Sequence, residues 1–107
     1  MALKGAAVVN VAASQTDSVV VAAVSGRCIR VKALAFVAGG TATTATFNTK
    51  GSGAGTAISP LFANAANGGA VIGHNPEGWF ETERGEALTL TTGAGSTTGV
   101  LVKYVLT

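Results

Sequence analysis

Three clusters in this chain of 107 residues have the residue types of a reactive or ligand-binding site. Gly51-Ser52-Gly53-Ala54-Gly55 has the glycine content of a phosphate-binding loop. Such a loop works by opening a helix whose N-terminal amides face the phosphate. Here the next residues are Thr56-Ala57-Ile58-Ser59-Pro60, a strand stopped by proline, so no helix end is on offer. Glu77, Glu81, Glu83 and Glu86 place four of the five carboxylates within ten residues. Glycoside hydrolysis needs two carboxylates facing each other across a bond. Glu81 and Glu83 are instead neighbours on one strand face, and a charged rim on an exposed hairpin is the simpler account. His74 is the single histidine, so a triad, a general base or a histidine metal site would all run through it. It falls in the turn His74-Asn75-Pro76-Glu77-Gly78, and neither Ser59 nor Glu77 supplies an elbow motif beside it. Calcium on loop carbonyls and Glu77 would need an acidic loop pattern that the sequence lacks. These residues predict a protein that is not an enzyme and has no catalytic residue, metal or cofactor.

Cys28 is the only cysteine, which excludes an internal disulfide and a cysteine-based metal site. Arg27 and Arg30 stand close enough in sequence to acidify its thiol, but the strand-like setting predicts a small buried hydrophobe. Arg27, Arg30 and Lys32 form the one basic cluster. Nucleic acids need cations gathered on one face, so no nucleic-acid partner is expected. No stretch approaches the 18 or more apolar residues of a membrane-spanning helix, and no membrane partner is expected. Lys4 followed by Gly5 to Ala13 has the outline of a short signal peptide, yet Asn10 interrupts it. The segment reads as an uncleaved strand in a protein that folds in the cytoplasm.

The elements that must position these residues are strands. Ala, Gly, Thr and Val number 20, 15, 14 and 13, so 62 of 107 residues come from four small or β-branched types. No window keeps apolar residues at helical spacing without Gly, Thr or Val filling the turn. Strand runs are read at Ala6–Ala13, Ser18–Val24, Cys28–Ala38, Thr41–Thr49, Thr56–Ser59, Ala70–Gly73, Trp79–Glu83, Ala87–Thr92 and Thr97–Thr107. Ser25-Gly26-Arg27 reads as a tight hairpin loop, and Leu61–Asn67 as the one short helical turn. About eight or nine short strands with glycine punctuation predict a single all-β domain over residues 1–107, an antiparallel β-sandwich of jelly-roll-like type. Residues 1–14 are expected to form an N-terminal arm or an edge strand.

Two packed sheets bury alternate residues. The expected inward sets are Ile29, Val31, Ala33, Ala35 and Val37; Leu88 and Leu90; and Val100, Val102, Tyr104 and Leu106. Leu34 and Phe36 then share the other face with Arg30 and Lys32, so one face runs from charged to apolar. Either the strand changes environment at a bend, or another chain covers that surface. Only 12 residues are charged, 11% of the chain with a net charge of +2, against roughly 25% in an ordinary soluble domain. A small domain leaves much of its surface outside, and uncharged sheet edges invite pairing unless something covers them. Interface cores are depleted of charge, so an assembly subunit is the expected setting.

Ser25-Gly26-Arg27-Cys28-Ile29-Arg30-Val31 and Asn75-Pro76-Glu77-Gly78-Trp79-Phe80-Glu81-Thr82, followed by Gly85-Glu86-Ala87-Leu88 and Tyr104-Val105, resemble small β-sandwich virion proteins of tailed bacteriophages. The likeness covers about residues 18–107, and the Gly-Trp-Phe and Gly-Glu-Ala-Leu pair is its most specific part. The resemblance implies a jelly-roll-like capsid decoration or cement protein, made in the host cytoplasm and placed on the capsid exterior. It implies the major capsid protein as partner and a homo-oligomer, a trimer in preference to a dimer. Interface candidates are Arg30, Lys32, Leu34, Phe36, Trp79 and Phe80. The alternative is a tail-fibre, baseplate or lectin-like receptor-binding module that uses Trp79 and the Glu-rich hairpin on sugars.

Overall fold

The computed structural model describes residues 4–107. Ten strands follow one another: β1 (Lys4–Val11), β2 (Ser18–Val21), β3 (Ile29–Ala38), β4 (Thr43–Lys50), β5 (Thr56–Ala57), β6 (Phe62–Asn64), β7 (Gly69–Ile72), β8 (Phe80–Glu81), β9 (Ala87–Thr92) and β10 (Thr98–Leu106). All pairings are antiparallel and fall into two sheets. The first has the order β1-β10-β3, with β7 and β8 sharing the far side of β3. The second has the order β2-β9-β4, with β5 and β6 sharing the far side of β4.

Read along the chain, β1 pairs β10, β2 pairs β9, β3 pairs β7 and β8, and β4 pairs β5 and β6. These nested pairs are a long folded ribbon wound over itself, which is the jelly roll. The chain crosses between sheets at six of its nine connections. Ser25-Gly26-Arg27 is therefore not a hairpin: β2 takes β9 as its partner, β3 takes β10, and Gly26 at a φ of 74° carries the chain from one sheet to the other. Leu61–Asn67 contains no helix either. Phe62–Asn64 is β6, paired with Thr43–Ala45, and the turn follows at Ala65–Gly68, where the Gly68 amide donates to the Ala65 carbonyl at 2.8 Å.

Between the sheets, Phe36 and Phe80 of the first meet Phe47 and Phe62 of the second, with ring centroids 4.6–6.4 Å apart. Ile29, Val31, Leu88, Leu90 and Val102 are fully buried around them. Such rings and branched side chains supply most of the burial that holds the sheets together. Cys28 is also buried, as its strand-like setting predicted.

The inward set of β3 changes midway. Lys103 pairs with Ala33 but the next residue, Tyr104, pairs with Val31, so Lys32 is an extra residue in the ladder. A bulge of this kind reverses which side chains face the core. Ile29 and Val31 point inward before it; after it the buried residues are Leu34 and Phe36, each 3% exposed, and Ala38. Ala33, Ala35 and Val37 face outward instead. The two interface candidates Leu34 and Phe36 are thus core residues of their own chain. Of the bend and the covering neighbour, the bend accounts for their pattern.

Candidate functional site

The outer faces of the two sheets differ in chemistry. On the second sheet Asn48 pairs with Thr89 and Thr46 with Thr91, and the polar groups bond to one another. Asn48 Nδ2 donates to Thr91 Oγ1 at 2.9 Å, and Thr89 Oγ1 donates to Asp17 Oδ1 at 3.1 Å. Asp17 Oδ2 accepts the Gly55 amide at 3.0 Å, which ties the glycine loop down. With that amide held by a carboxylate and no helix behind it, the loop has no phosphate cradle.

On the first sheet the outward residues line up across four strands. Val8 of β1 pairs with Leu101 of β10, Leu101 with Ala35 of β3, and Ala35 with Val71 of β7. Val8 is 80% exposed, Val71 84% and Leu101 48%. The next row toward one end is Asn10, Gly99, Val37 and Gly69, with Val37 also exposed. Toward the other end come Ala6, Lys103 and Ala33, then Lys4, Val105, Arg30 and Glu81. One face therefore does run from charged to apolar, through Val8, Val71 and Leu101 rather than Leu34 and Phe36. Shallow apolar hollows lie on both sides of the Leu101–Ala35–Val71 row. A contiguous apolar patch bordered by charge is the form of a protein-contact surface.

The remaining candidates cluster at the charged end. Arg30 Nη2 bonds to Glu81 Oε1 at 3.0 Å, and both are partly exposed. Lys32 Nζ donates to the Pro76 carbonyl. Trp79 is 50% exposed, and its indole N–H donates to the Gly73 carbonyl at 2.8 Å. Phe80 is half-buried against Phe47. Asn75 builds the turn that presents them: its Oδ1 accepts the Glu77 amide at 3.0 Å and its carbonyl accepts the Gly78 amide at 2.9 Å. Gly78 is required there, because a Cβ would stand 2.5 Å from Arg30 Cγ with φ at +86°. Arg30, Lys32, Trp79 and Glu81 are thus brought together at the charged margin of the apolar face.

His74 and Glu77 are exposed loop residues, and Glu81 is engaged by Arg30 rather than by Glu83. Among the described residues no three of His, Cys, Asp and Glu gather as a metal site. None of the helix-type spans that cross membranes is found among them. Sequence reasoning passed over Val8, Val71 and Leu101. Runs such as Ala6-Ala7-Val8-Val9 are apolar at both parities, so alternation could not say which member faces out; only the cross-strand register does. No family model, curated protein or solved structure matches this chain.

Proposed function

We propose that this chain is a structural protein of a tailed-phage virion, a decoration or cement protein that binds the outside of the head. In this role it joins capsomers by non-covalent contacts of a homo-oligomer with the major capsid protein. The observation that carries the reading is the apolar row Val8–Leu101–Ala35–Val71 on the outer face of one sheet. At the corresponding positions of the second sheet, Asn48 and Thr89 are buried and bonded to Thr91 and Asp17. A sheet face that leaves Val8, Val71 and Leu101 in water fits a layer that lies on another protein. The jelly roll and the Gly78-Trp79-Phe80 and Gly85-Glu86-Ala87-Leu88 segments agree with that setting.

No catalytic group is needed for this work. Buried apolar area is worth roughly 25 cal/mol per Å² before association costs. Small patches repeated around a particle then resist separation together, through multivalency rather than through tight single contacts. A subunit-resolution image of the native particle tests the placement. The expected result is a two-sheet sandwich on the outer shell with its apolar face against neighbouring protein; density confined to the tail, or an uncovered apolar face, overturns it.

A receptor-binding module of the virion is the second reading, favoured by half-exposed Trp79 beside Arg30 and Glu81. It predicts specific binding on a glycan array that Trp79→Ala abolishes, and no binding by either protein counts against it.

A further inference from the structure

Three of the four sheet edges carry devices that prevent pairing with another strand. The β2 edge is four residues long and broken by a bulge between Val19 and Val21. The β5 and β6 edge is split into pieces of two and three residues around Pro60. The β7 and β8 edge is interrupted by the turn through Pro76. Short strands, bulges and prolines are the usual protections of an edge.

The fourth edge, β1, has none of them. It is eight residues long, unbroken in register with β10, free of proline, and charged only at Lys4. Among the described residues its far side pairs with no strand of this chain. A row of alternating amides and carbonyls has one natural complement, another extended chain.

We infer that the β1 edge is a self-association site that pairs with β1 of a second copy, antiparallel about a two-fold axis. This rests on the cement-protein reading and names how its oligomer is built. Side chains that face outward must stay on one side of a joined sheet, which restricts the register to one centred on Ala7 or on Val8. In both, Lys4 lies beside Asn10 or beyond it and far from Lys4 of the second copy. The self-pairing therefore brings no like charges together, which a strand paired in parallel register would. Centring on Val8 also makes the apolar row continuous, running from Val71 to Val8 in one copy and on from Val8 to Val71 in the next. The docking face doubles in width. Antiparallel pairing of one edge with itself closes at two copies, so the edge specifies a dimer and not the trimer that the family resemblance implied.

The test is native mass and sedimentation of the full chain, with Val8→Lys, Val8→Glu and an equal mixture of the two. Val8 is an outward residue, so these variants leave the core intact. The wild type is expected at about twice 10.5 kDa, each variant alone as a monomer that still melts cooperatively but without the concentration dependence of the wild type, and the mixture as a dimer again. Amide exchange is expected to slow in β1 of the wild type as concentration rises. A wild-type monomer at every concentration, a trimer, or a dimer indifferent to Val8→Lys overturns the inference. So does protection of β1 only after addition of heads, which would assign the edge to a strand of another protein. Head binding is scored separately, so a monomer that still binds heads sinks the two-fold pairing and leaves the cement reading standing.

Discussion

Val8 stands directly opposite Leu101 in the β1–β10 ladder, and both side chains point away from the core. A cross-strand apolar pair contributes about 0.2–1 kcal/mol to a sheet. That gain is small beside what the same two residues can do against another protein, where their exposed area would leave water. Ala35 and Val71 extend the pair into a row across the whole first sheet. The second sheet places Thr46, Asn48, Thr89 and Thr91 at the equivalent positions, with Val19 exposed opposite Thr89. Both faces come from one chain with few charges, so the scarcity of charge alone does not distinguish them.

Adjacent residues of β3 should respond to truncation in opposite ways. Phe36→Ala removes a ring that lies 4.6 Å from Phe62 and 6.4 Å from Phe47 by centroid, and is expected to cost about 3–5 kcal/mol. Val37→Ala, on the exposed face, is expected to change stability by no more than about 0.5 kcal/mol. Urea denaturation of both variants checks this, and similar losses for the two would contradict the bulge at Lys32.

Asp17 is expected to be a structural residue despite its charge. Its carboxylate accepts the Gly55 amide and the Thr89 hydroxyl, and its backbone sits at a φ of 52°. Asp17→Ala leaves two groups without a partner and puts alanine in a left-handed conformation, for an expected loss of about 1–3 kcal/mol. Asp17→Asn keeps the side-chain geometry and tolerates that φ, so it should lose less. Thermal melts of the two variants decide the order.

Thr98 is fully buried and its hydroxyl has no hydrogen-bond partner. An unpaired buried hydroxyl costs desolvation free energy with nothing to offset it. Thr98→Val keeps the shape and removes that group, and is expected to be neutral or to stabilise by up to about 1 kcal/mol. Calorimetry checks it; a marked loss would mean that the hydroxyl is bonded after all.

How much of this was legible in the sequence depends on the strand. For β9, strict alternation placed Leu88 and Leu90 inside, and they are fully buried. For β10, Val100, Val102 and Leu106 are buried as expected, and Tyr104 is half-buried over Gly5, where a Cβ would stand 3.0 Å from its hydroxyl. For β3 the alternation failed after Lys32, because a bulge is a property of two paired strands and one strand's pattern cannot contain it. The same limit hid the exposed apolar row. Val8 and Val71 fall in one row only because β10 and β3 lie between β1 and β7 in the sheet order. The turn residues are visible, but a hairpin at Gly26 and a crossing between sheets have the same local signature, since turn chemistry does not record where the next strand goes.

Binding of the purified protein to heads stripped of it, read by co-sedimentation, tests the central claim most directly. The variants are Val71→Lys and Leu101→Lys on the apolar face and Thr46→Lys on the polar face, all outward substitutions that a stable fold should absorb within about 0.5 kcal/mol. Wild type and Thr46→Lys are predicted to pellet with the heads, while Val71→Lys and Leu101→Lys stay folded in the supernatant. If the two apolar-face variants pellet as the wild type does, or the wild type itself fails to bind, the apolar face of the first sheet is not what holds this protein to a shell.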